Sequence, residues 1–225
     1  MHACGHDNHM AILMGAAEIL AGMRKQLPGT IKFIFQPAEE GAPKGEEGGA
    51  KLMIDEGVLD NPSVDAIIGL HISQGSKVGT ASYRALGFMA SAQRFDIQIQ
   101  GKQTHGARPW AGVDPIVVGA QIINGLQTIV SRQIDITQHP AVVTVGSFTA
   151  GVRNNIVPAS AQLTGTIRTF DANVRQSIHQ KIRAIAEQTA ASMGAVATVE
   201  IDPGVPVTFN DCLLYTSDAA DEFSC

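Results

Sequence analysis

With 225 residues, 44% of them hydrophobic and only 16% charged, the chain can bury a real core and does not have the composition of a disordered protein. A formal net charge of −5 and a pI near 5.8 leave no basic stripe, which argues against a nucleic-acid or anionic-membrane partner. No apolar run approaches the roughly 18 to 20 residues of a membrane span, and three cysteines, two of them at Cys212 and Cys225, make no disulfide framework, so a reducing, cytoplasmic setting is expected.

The first ten residues, MHACGHDNHM, gather Cys4, Asp7 and the histidines His2, His6 and His9. Thiolate, imidazole and carboxylate are the donors that bind transition metals. A helix is predicted over Asp7–Arg24 from its apolar spacing, with Asp7 or Asn8 as cap. Cys4 and His6, two apart, can both face one site from an extended loop just before it. Alone, Cys4 would read as a buried free cysteine beside a capping Asp7. His2 and His9 read as packing groups or supports for ligands. Because Met1 opens directly on the ligand cluster, the chain is expected to continue upstream.

Pro28-Gly29-Thr30 breaks the helix, and Ile31–Phe35 is predicted as a strand buried in a sheet. Gln36-Pro37-Ala38-Glu39-Glu40 then falls at its C-terminal end, where open α/β sheets bind ligands. Neighbours along an extended chain point opposite ways. One glutamate can therefore coordinate a metal while the other takes a proton from water as general base. A solvated acidic pair before a loop is the competing reading. After the glycine-rich Ala42–Gly49 loop, a helix is predicted over Ala50–Glu56. A second buried strand, Asp65–Leu70, delivers His71 to the same rim. This alternation implies a mostly parallel sheet with crossover helices. With Glu40 and His71 on that rim, a metal site is the better reading of Cys4 and His6.

The pattern changes around Ser82–Ser91. Strands are predicted at Arg94–Gln100, Ala141–Phe148, Gln162–Thr169 and Ala197–Asp202, and helices at Asp114–Arg132 and Asn173–Met193. The order β-α-β-β-α-β is that of a ferredoxin-like layer, one antiparallel sheet with two helices on one face. Four regions are expected: a partial metal-binding catalytic domain over 1–85, a lid and dimerisation domain over 86–202, a return toward the catalytic domain over 203–211, and a tail over 212–225. That tail, CLLYTSDAADE and after, resembles a translated sequencing adaptor and is expected to be non-native.

The ordered motifs HACGHD, QPAEEG, GLH, QTHGARPWAGVDPI, NNIVP and GTIRTF resemble those of the aminoacylase and carboxypeptidase superfamily of di-metal hydrolases. Its N-acyl-amino-acid amidohydrolases, which include hippurate and auxin-conjugate hydrolases, are the nearest branch. The resemblance implies two divalent ions (zinc, manganese, cobalt or nickel), with Cys4 bridging them and His6, His71 and Glu40 as further ligands. It implies Glu39 as general base, and His105 as the group that a homodimer presents to the neighbouring active site to stabilise the oxyanion. Asn155 and Arg168 would hold the substrate, Arg168 by its fork of donors on the free carboxylate. By themselves, His105 reads equally as a turn residue, Asn155 as a loop former and Arg168 as a sheet-surface charge.

The family's upstream Arg-Ala-Asp-x-Asp motif and downstream ligand histidine have no match, so the chain is expected to be an internal, inactive segment of a longer enzyme. The implied reaction is hydrolysis of an N-acyl amino acid to a carboxylate and a free amino acid. A dipeptidase or carboxypeptidase acting on short peptides, and a non-catalytic metal-binding association module, stay open.

Overall fold

The computed structural model describes residues 4–43 and 45–211, so the expected non-native tail lies outside the described residues. The chain divides into two units, Met1–Ala81 and Ser82–Cys225.

In the first unit, α1 spans His6–Gly22. Its N-cap is neither Asp7 nor Asn8 but Gly5, whose carbonyl accepts from the N–H groups of Asn8 (3.0 Å) and His9 (3.2 Å). Gly5 is left-handed, with φ 78°, a conformation that costs a β-carbon-bearing residue energy. A Cβ there would also run into the Ile72 side chain. Asp7 instead lies in the first turn, where its charge suits the helix dipole. A seven-residue helix, α2, follows at Gly49–Asp55.

The two strands predicted here are not formed. Ile31–Phe35 and Asp65–Leu70 belong to no ladder among the described residues, and Ile67, Ile68 and Leu70 are exposed. Every ladder among the described residues is antiparallel, which corrects the expected parallel sheet. The reason is physical: apolarity favours burial, but a strand exists only where another backbone takes up its N–H and C=O groups. The Ile31–Phe35 run is held instead by Lys32, whose Nζ donates to the carbonyls of Val58 (2.7 Å), Asn61 (3.0 Å) and Pro62 (3.0 Å).

The second unit runs β1 (Leu86–Met89), β2 (Ser91–Gln100), β3 (Thr104–His105), a 3₁₀ turn (Pro109–Ala111), α3 (Pro115–Gln133), β4 (Ala141–Ala150), β5 (Ile156–Val157), β6 (Ser160–Thr169), α4 (Ala172–Ser192), β7 (Val196–Ile201) and β8 (Thr208–Asn210). Four of these strands form one antiparallel sheet in the order β4-β6-β2-β7. Strict alternation in β2 and β6 places Phe95, Ile97, Ile99, Leu163 and Ile167 on one buried face. Against it α3 packs Val118, Ile122, Leu126 and Ile129, and α4 packs Ile178, Ile182, Ala186 and Ala190, each set at helical spacing. Burying each large aliphatic side chain contributes about 1.5–3 kcal/mol, so this layer holds the core.

Both helices start on an aspartate. Asp114 Oδ1 accepts from Ile116 N at 2.8 Å, and Asp171 Oδ1 from the N–H groups of Asn173 (2.7 Å) and Val174 (2.9 Å). The other face of the sheet is polar and more exposed, with Arg94, Gln98, Gln162 and Arg168 on it. Two small ladders complete the unit: β3 with β5, and β1 with β8, the latter beside a bridge between Ala92 and Val205.

Candidate metal centre

Two segments of the first unit, far apart in the sequence, bring a first set of donors together. Cys4 precedes the Gly5 turn, His6 opens α1, and His71 follows the Asp65–Leu70 run. Their ligand atoms, Sγ and imidazole nitrogens, all lie within 4.8 Å of one another. A second group within the same limit joins His6 to Glu39 and Glu40, so His6 is common to both. Cys4 Sγ is 3.4 Å from His71 Nε2, and His6 Nε2 is 3.3 Å from Glu39 Oε2 and 3.7 Å from Glu40 Oε1.

These spacings suit a metal. Donors around a tetrahedral ion with bonds of about 2.0–2.3 Å stand roughly 3.3–3.8 Å apart, and a thiolate, imidazole and carboxylate set fits zinc, manganese, cobalt or nickel.

The glutamates are not splayed as an extended chain would splay them. Ala38 has φ 49° and its carbonyl accepts from Gly41 N at 3.1 Å, so Glu39 and Glu40 lie in a tight turn and both carboxylates reach His6. The turn is fastened to the glycine-rich loop, since Gly49 N donates to Pro37 O at 2.9 Å.

Backbone contacts set the histidine tautomers. His71 Nδ1 donates to the Ile72 carbonyl at 2.7 Å, which leaves the Nε2 lone pair facing Cys4. His9 Nε2 accepts from Ile72 N at 3.0 Å, and its ring centroid lies 4.5 Å from that of His71. Desolvation lowers the pKa of His9, helped by His71 and His6, and so keeps it in the neutral form that accepts. Desolvation raises the Cys4 thiol, as do a hydrogen bond to Glu40 and the charges of Glu40 and Glu39. The Ile72 backbone is a component the sequence pattern could not mark, because every residue but proline supplies the same N–H and C=O.

In the second unit His105 and Asn155 come together. β3 pairs His105 with Ile156, and Gly106 N donates to Asn155 O at 2.8 Å. His105 Nδ1 accepts from Ala107 N at 3.0 Å, so the neutral ring carries its proton on Nε2, poised to donate. Arg168 is not beside them. It sits near the other end of β6, opposite Ala92 and Val142. At about 3.4 Å per residue, Arg168 is on the order of 25 Å from Ser160, where β6 begins next to the β3/β5 ladder.

The description "peptidase family M20/M25/M40" matches residues 1–222. The chain belongs to this family. Among curated relatives of this M20 chain, N-acetyl-L-cysteine deacetylase of Bacillus subtilis is 42% identical over 211 residues, covering 94% of the chain and 49% of the relative. Thermostable carboxypeptidase 2 of Saccharolobus solfataricus is 40% identical over 212 residues, covering 94% and 52%. Among solved structures, the YXEP protein of Bacillus subtilis, described as a dinuclear metal binding peptidase of the M20 family, is 39% identical with a TM-score of 0.74, covering 94% of this chain and 51% of that one. The M20 chain therefore spans about half the length of the curated relatives it matches.

Proposed function

We propose that the chain works as, or within, a metal-dependent amidohydrolase that cleaves N-acyl amino acids to a carboxylate and a free amino acid. The observation that carries this is the convergence of Cys4, His6, Glu39, Glu40 and His71 from three segments of the chain.

In this proposal Cys4, His6, His71 and Glu40 would hold the divalent ions. Ions bound there would supply Lewis acidity toward an amide carbonyl and toward water. Glu39 takes the water's proton and passes it to the leaving amine. His105 donates from Nε2 to the oxygen on which charge develops. Arg168 grips the free carboxylate with its fork of donors, and Asn155 helps hold the substrate.

The second unit is assigned as a ferredoxin-like lid and dimerisation domain, on its β-α-β-β-α-β order and the strand order β4-β6-β2-β7. The separation of Arg168 from His105 and Asn155 along β6 supports a homodimer. Groups some 25 Å apart cannot grip one small substrate from one chain, whereas two copies can share them. A reducing, cytoplasmic setting accords with a free Cys4 among its ligands. Among the described residues no helix is long and apolar enough to cross a membrane.

A carboxypeptidase or dipeptidase acting on short peptides is the second reading, favoured by the similarity to the Saccharolobus carboxypeptidase. One experiment separates these from a non-catalytic metal module. A protein of the relatives' length containing these residues is loaded with zinc or manganese and offered N-acetyl amino acids and dipeptides. Turnover that falls by about 10²–10⁴ in Glu39→Gln, with metal content unchanged, is the expected result. Full activity in that variant overturns the assignment of Glu39, and metal binding with no hydrolysis of either substrate class overturns the enzyme.

A further inference from the structure

Ile72 is where the His71 side of the cluster is anchored, and both of its backbone polar groups are engaged. Its N–H donates to His9 and its carbonyl accepts from His71 Nδ1. Its side chain lies against Gly5, the residue between Cys4 and His6. The stretch that leads into it, Asp65–Leu70, belongs to no ladder among the described residues, so its position depends on contacts of this kind. His9 stands three residues after His6 on α1, on the same face of the helix. Its Nε2 lone pair is committed to Ile72, and it belongs to neither group of ligand donors.

We propose that His9 is a positioning residue of the metal centre: by accepting the Ile72 N–H it fixes the residue whose carbonyl holds His71 Nδ1, and so aims His71 Nε2 at the site shared with Cys4. The idea rests on the metal-site assignment above and extends it to a residue that touches no ion. The chemistry asks only for an acceptor at the tip of residue 9. Glutamine, which carries a carbonyl oxygen at similar reach, can replace histidine there, whereas leucine cannot.

The test uses the whole chain with cobalt as the probe, in wild type, His9→Leu and His9→Gln. Two readouts are taken: hydrogen exchange at the Ile72 amide without metal, and cobalt affinity with its visible spectrum. His9→Leu is expected to lose Ile72 protection and to bind cobalt at least about tenfold more weakly, with an altered spectrum, while sheet amides such as that of Ile97 keep their protection. His9→Gln is expected to recover most of both. Wild-type affinity and spectrum in His9→Leu overturn the proposal. Should His9→Leu not fold, His9→Gln decides: retained Ile72 protection with retained affinity supports the role, and lost protection with full affinity overturns it. A wild-type chain that takes no cobalt sinks the metal site and this inference together, an outcome distinct from a wild type that binds and a leucine variant that binds equally.

Discussion

Single contacts decide much of the chemistry in the first unit. The bond from His71 Nδ1 to the Ile72 carbonyl determines which nitrogen faces Cys4. The Cys4 thiol, raised by desolvation and by the neighbouring Glu40 and Glu39, stays protonated near neutral pH in the metal-free chain. A metal needs the thiolate, so loading displaces that proton. Affinity should rise with pH below the thiol's raised pKa, by about one proton per site. Calorimetry in two buffers of different ionisation enthalpy would show the release, and Cys4→Ser should remove it. The donors themselves were legible in the sequence, because Cys4, His6 and His71 are rare residue types at telling places. What their neighbours do was not. The glutamates share one side because Ala38 takes a positive φ, and His9 supports His71 through a peptide N–H that every residue but proline possesses.

Among the elements, the four long strands and two helices of the second unit were readable from period alone. Ile178, Ile182, Ala186 and Ala190 recur at helical spacing, and Phe95, Ile97 and Ile99 at strand spacing. The short strands β1, β3, β5 and β8 were not, since two to four residues carry no period and exist through their partners. The same logic explains why Ile31–Phe35 and Asp65–Leu70 were misread. Leu126→Ala is expected to cost about 3 kcal/mol, and loss of the Asp114 cap about 1 kcal/mol, both visible as lower midpoints in urea with an unchanged slope. On the polar face, Asp96 is held below its ordinary value near 3.8 by hydrogen bonds from Arg94 and Thr164. A depressed carboxylate stabilises the fold above its unfolded pKa, and that contribution is lost as pH falls through the folded value. Acid unfolding should therefore be less steep below about pH 4 in Asp96→Asn, with stability at pH 7 reduced.

For the whole molecule, the dimer proposed through the second unit predicts sedimentation at twice 23.7 kDa, with Asn155 and His105 of one copy serving the substrate that Arg168 of the other holds. Mixing His105→Ala chains with Arg168→Ala chains of a full-length enzyme should restore part of the activity that each lacks, because a mixed dimer regains one intact site; no recovery would contradict sharing. The pairing of β1 with β8 has a further consequence. Among the described residues the second unit's first and last strands are zipped together, Leu86 against Asn210, so the two ends of this layer lie side by side. A layer whose two ends meet in this way carries its fold in its own strands and helices, and is of the kind that tolerates being lengthened or exchanged as a block.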